Sequence, residues 1–193
     1  MKKFTFLIFF AIIAIGFTAS AQIQKGNVLV GGDLADISIG LNSPNVFDFN
    51  ISPKAGWFIE DNVALGGYVN LGIQSAKGSS TTTSYGIGAL GRYYLGSGLA
   101  VLNHSRFFGE GTVGFVGVDV SDGGGNTNGL NIGVGPGFAY FITPSIGLET
   151  LLKYNGLAGF GNQNYQSNLT LNFGFQIYLP GKRTGNKIKG DVR

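Results

Sequence analysis

The only histidine in the chain, His104, stands beside Ser105 with Glu110 nearby. A base, a hydroxyl and an acid are the types that a catalytic site would combine. Their spacing argues against that use. His104 and Ser105 are adjacent in a polar connection, Gly96 to Ser105, and share no strand face. One histidine and no cysteine leave no histidine-cluster or cysteine–zinc site. The run Asp119-x-x-Asp122-Gly-Gly-Gly-Asn126 offers oxygen ligands of the kind calcium takes, but it lacks the spacing and terminal Glu of an EF-hand loop. The glycines open no helix, so they form no phosphate cradle. No catalytic residue, metal or cofactor is expected, and the chain reads as a non-enzyme.

The remaining chemistry lies in a few charges. Charged residues are 12% of the chain, against a usual ~25%. Glycine is the opposite case, with 34 residues in 193 where average usage would give about 14. There is no glycine triplet and proline is scarce, which excludes collagen. With 44% hydrophobic residues and so little charge, disorder is excluded as well. What the charges can do depends on the elements that carry them.

From Asn27 to Leu179 the pattern is period-2 alternation broken by turn residues, which predicts strands. Eight segments emerge: Asn27 to Leu41, Val46 to Ile59, Val63 to Gln74, Thr83 to Leu95, Arg106 to Val120, Gly129 to Ile142, Ser145 to Asn155 and Ser167 to Leu179. The first switches parity near Ala35-Asp36, the mark of a bulge. In the eighth, Leu169, Leu171, Phe173, Phe175, Ile177 and Leu179 oppose Asn168, Thr170, Asn172, Gly174 and Gln176. One face is large and apolar; the other is small, glycine-rich or polar. Short turns at Glu60-Asp61-Asn62 and Thr143-Pro144 alternate with longer polar loops at 75–82, 121–128 and 156–166. That asymmetry predicts an all-β, eight-stranded antiparallel up-and-down transmembrane β-barrel.

A soluble barrel would turn its apolar face inward. Here the polar face is too poor in charge to serve as a water-facing coat, and the segments reach the length of tilted membrane strands. The apolar face is therefore expected to meet lipid. Strand parity then sends Asp48, Lys54, Arg92, Glu110, Glu149 and Lys153 inward, with Asp33 and Asp36 beside them. Charges enclosed in a narrow lumen must pair, so a network is expected that plugs the interior. Aromatic residues near the strand ends, among them Trp57, Phe58, Tyr93, Tyr94, Phe107, Phe108, Tyr140, Phe141, Tyr154 and Tyr178, are expected to form two headgroup-level girdles.

Residues 1–21 read as a signal peptide: Met1-Lys2-Lys3, an apolar stretch from Phe4 to Phe17, and Thr18-Ala19-Ser20-Ala21 with cleavage between Ala21 and Gln22. The barrel is expected over 22–179, followed by a basic tail over 180–193. The formal net charge of +3 belongs to the two ends, because residues 22–181 hold six basic and nine acidic groups. A basic face for nucleic acid is thus missing from the body of the chain.

The hairpin Ile51-Ser-Pro53-Lys-Ala-Gly56-Trp57-Phe58-Ile-Glu-Asp61-Asn62-Val-Ala64-Leu65-Gly66, together with Gly91-Arg92-Tyr93-Tyr94, resembles the outer-membrane β-barrel domain family of small eight-stranded bacterial proteins. The resemblance spans about residues 22–179. It implies the outer membrane of a Gram-negative bacterium, outer-membrane lipids as surroundings, and insertion by the barrel assembly machinery, which reads a last strand ending in an aromatic residue. Phe173, Phe175 and Tyr178 fit that signal, whereas the tail Pro180 to Arg193 departs from it. On this reading the protein is a monomer with periplasmic termini, acting structurally or through its extracellular loops. A small passive channel and a lipid A-modifying enzyme are the alternatives.

Overall fold

A computed structural model describes residues 23–38, 46–76, 81–96, 104–121, 126–160 and 166–181. The expected signal segment with its Ala21/Gln22 junction, and the tail from 182 onward, lie outside the described residues. Eight strands follow one another: β1 (Val28–Ser38), β2 (Val46–Glu60), β3 (Val63–Ala76), β4 (Thr82–Tyr94), β5 (Ser105–Val120), β6 (Asn126–Thr143), β7 (Ile146–Gly159) and β8 (Gln166–Leu179). Each pairs antiparallel with the next, and β1 closes on β8 with Val28 opposite Leu179. Closure matters for a chain of this composition, because it leaves no row of unpaired backbone groups at a sheet edge.

The register of β1 against β8 shifts between Asp33 and Ala35, so the irregularity falls at Leu34, just ahead of the expected parity switch. The β2–β3 turn is two residues long, Asp61 and Asn62, and Asn62 has φ 67°. Asparagine tolerates that left-handed conformation better than most side chains. The same end of the barrel is drawn together by the incoming chain. The Asn62 amide donates to the Ile23 carbonyl, and the Gly26 amide to the Phe58 carbonyl. Lys25 pairs with Glu60.

Alternation decides which residues meet which surroundings. In β4 Tyr85, Ile87 and Tyr93 face outward, while Leu90, Arg92 and Tyr94 are buried inside. Among the described residues, 25 large hydrophobic side chains are at least a third exposed on the outer wall and its rims. Moving that much apolar surface from water into hydrocarbon is favourable by on the order of 20 kcal/mol or more, taking half of the ~1.5–3 kcal/mol of a full side chain for each. This exceeds the ~5–15 kcal/mol net stability of an ordinary domain. The wall is built for a membrane.

Glycine sets the width of the interior at two places. The Tyr68 ring on β3 lies across Gly88 on β4 and Gly114 on β5, and the Phe108 ring on β5 lies against Gly137 on β6. A Cβ at any of these three glycines would collide with the side chain of Tyr68 or Phe108.

Candidate functional site: the barrel lumen

Parity brings charged side chains from five different strands into one interior. Lys54 of β2 donates to Asp33 of β1 at 3.0 Å and lies 3.4 Å from Glu110 of β5. Arg92 of β4 bridges two carboxylates. Its Nε donates to Glu110 at 3.0 Å, and its Nη1 to both oxygens of Glu149 on β7 at 2.9 and 2.8 Å. Only Arg92 and Glu110 are direct cross-strand partners. Lys54 and Asp33 are diagonal neighbours on paired strands, whereas Lys54–Glu110 and Arg92–Glu149 reach across the lumen, so no two-strand reading could supply those two. The planar guanidinium suits this place, because its donors fan out in a fixed fork toward two acceptors. Lys153 of β7 is half-buried in the same interior, its ammonium 5.8 Å from the Tyr68 ring centre. The side chains of Asp36 and Asp48 lie outside the described residues.

Below this layer, toward the tight turns, the lumen is filled by rings. Phe58, Tyr94, Phe108, Phe141 and Tyr178 are all buried, with Ile23 and Leu29 in the same cluster. Tyr94 and Tyr178 share a hydroxyl–hydroxyl hydrogen bond of 2.7 Å. Arg92 donates to the Tyr94 hydroxyl, and the Tyr178 hydroxyl donates to Glu149. The Arg92 guanidinium also sits 4.2 Å from the Phe108 ring centre. Charge layer and ring layer are thus one bonded unit. Arg106, buried beside them, donates to the Ser105 carbonyl.

The ring layer corrects the two expected girdles. Trp57 is 61% exposed and Phe58 2%; Tyr93 is 55% exposed and Tyr94 is fully buried. Tyr140 faces out and Phe141 in. Chain neighbours on a strand point to opposite faces, so each adjacent aromatic pair contributes one ring to the lipid side and one to the lumen. The same rule identifies Tyr178 as inward from its place between Ile177 and Leu179, and Arg106 from its parity with Glu110. His104 is a half-buried turn residue whose carbonyl accepts from the Phe141 amide, and Ser105 is buried at the start of β5. Of the Asp119 to Asn126 run, residues 122–125 lie outside the described residues.

Above the charge layer the lumen widens into a cavity of about 500 Å³. Its floor is Asp33, Lys54 and Glu110, and its upper rim includes Thr82, Val118 and Ser167 at the ends of strands that meet the longer connections. Between floor and rim the lining is mostly amide and hydroxyl.

An apolar outer wall, a closed antiparallel sheet of eight strands and a polar interior define the transmembrane up-and-down barrel of the outer-membrane type. Solved structures of that class align over most of the chain. The chain is 20% identical to Neisserial surface protein A, with a TM-score of 0.54, over 78% of this chain and 92% of that one. It is 13% identical to the N-terminal β-barrel domain of Pseudomonas aeruginosa OprF, also with a TM-score of 0.54, over 80% and 98%. At these identities the likeness is one of fold. No family model matches the chain, and no curated protein matches it in sequence.

Proposed function

We propose that this is a monomeric outer-membrane protein whose lumen is closed at the periplasmic end, and that it acts without catalysis at its extracellular end. The observation that carries this reading is the bonded double layer. Arg92 joins Glu110 and Glu149, and directly beneath it five buried rings fill the cross-section. An ion crossing that section would have to break buried charge pairs and displace close-packed aromatics, both costly steps. The outer membrane of a Gram-negative bacterium follows from the wall and the expected signal peptide. Insertion by the barrel assembly machinery follows from the resemblance alone. Phe173 faces outward on β8 while Tyr178 turns inward.

A non-enzymatic role is supported by the position of His104 in a turn at the far end from the open cavity. What favours the passive-channel alternative is the cavity itself, which already occupies the upper lumen. Planar-bilayer recording separates the two. The wild-type protein is expected to give no steady current, and the double variant Phe58→Ala/Phe108→Ala to give one. A stable open-pore current from wild type would sink the closed-lumen reading.

A further inference from the structure

We propose that the cavity above the charge layer is a binding site for a neutral saccharide unit, one or two sugar rings in size. The inference rests on the closed-lumen reading only in giving the cavity a floor. Its volume, about 500 Å³, falls in the range of small-molecule clefts, ~300–1,000 Å³.

The lining chemistry selects the ligand class. Among the lining residues are six asparagines and six serines or threonines. Amides and hydroxyls both donate and accept, which matches the dual character of sugar hydroxyls. Some of these groups are already fixed in place. Asn70 donates to Asn50 and Ser52, both at 2.9 Å, and Asn155 to Thr170 at 3.1 Å. One is not satisfied: the Asn172 carbonyl oxygen is buried, lines the cavity and has no hydrogen-bond partner, while the Thr112 hydroxyl faces the Tyr68 hydroxyl. Buried polar atoms without partners are rare because they are costly, and a ligand hydroxyl would supply what the Asn172 oxygen lacks. Tyr68 adds a flat ring, set across the lumen against Gly88 and Gly114 with the Lys153 ammonium 5.8 Å from its centre. Such a surface packs against the C–H face of a sugar ring.

Charge argues for a neutral ligand. Asp33, Lys54 and Glu110 at the floor already bond one another. Among the described side chains, with Arg92, Glu149 and Lys153 included, three acids face three bases, so an ionic ligand would have to compete with existing pairs. An apolar ligand would strand the amides.

The experiment is saturation-transfer NMR on the mature chain, refolded in micelles of a detergent without a sugar headgroup, with empty micelles as control. The probes are glucose, N-acetylglucosamine, maltose and inorganic phosphate. At least one sugar is expected to show saturable transfer. Its affinity should fall at least tenfold in Tyr68→Leu and in the near-isosteric Thr112→Val, and stay unchanged in Val113→Ala on the outer wall. Heat-modifiable gel migration verifies folding; should Tyr68→Leu not fold, Thr112→Val decides. A second arm presents the winning sugar as the terminal unit of an immobilised glycan. Capture there assigns a surface glycan, and binding of the free sugar alone assigns a solute. No saturable signal from any sugar, undiminished binding in Thr112→Val, or tighter binding of phosphate would overturn the site. Bilayer current on the same preparation keeps the two readings apart. Current overturns the closed floor, whereas silence with no sugar binding overturns the sugar site alone.

Discussion

Arg92 is the residue on which the interior depends most. It is fully buried and holds Glu149 and Glu110, the latter shared with Lys54. Replacing a buried ion pair outright can be neutral, but removing one partner strands the other charge and costs ~3–5 kcal/mol. Arg92→Ala is therefore expected to lower stability by about that amount in urea unfolding from lipid vesicles, and Arg92→Lys by less. Tyr94→Phe removes a hydroxyl and keeps the ring, for an expected loss of ~1 kcal/mol. Tyr178→Phe should behave alike. The double variant should lose less than the two single losses together, because the hydroxyls bond each other. An additive result would mean that this bond contributes nothing.

At the scale of the strand, glycine is used differently on the two faces. Gly137 lies under the Phe108 ring, whereas an added Cβ at Gly111, on the outward face of β5, would meet nothing within 4 Å. Gly137→Ala is expected to cost ~1–3 kcal/mol through overpacking, or to slow the appearance of the heat-modifiable folded band. Gly111→Ala should leave both unchanged. Equal tolerance at the two sites would show that the ring layer is loosely packed. The strand faces also separate the inward rings from the outward ones. Period-2 alternation made the strand spans legible to within a few residues of their ends, and it contained the answer for Phe58, Tyr94, Phe108 and Phe141. Nearness to a strand end is a one-dimensional criterion, and the face on which each ring sits is the deciding property.

For the whole molecule, the wall and the lumen make opposite demands on the same substitution. Val113 lies midway along β5 and faces out. Val113→Arg should destabilise the barrel by ~2–4 kcal/mol in a bilayer, the cost of a cation at mid-depth on a lipid face. Unchanged unfolding in lipid would mean that this face does not meet hydrocarbon. Fractionation provides the complementary check: the mature chain should require detergent for extraction, and recovery in the aqueous phase would remove the membrane assignment. The asymmetry of the interior, rings at one end and a polar cavity at the other, makes the molecule a cup with its mouth toward the longer connections.

The class of fold is legible in the amino-acid sequence, because alternation, glycine content and low charge are local properties that a membrane barrel reconciles. It is equally legible there that Lys54, Arg92, Glu110, Glu149 and Lys153 share a face, since parity along a strand is fixed by the backbone. Which side chains meet across the lumen emerges from the closed barrel alone. Lys54 reaches Glu110 three strands away, Arg92 reaches Glu149, and Tyr94 reaches Tyr178. Those contacts depend on closure and stagger, which set the depth of every inward residue against strands distant in the chain. The division into ring layer, charge layer and cavity arises from that depth alignment, and no single strand contains it.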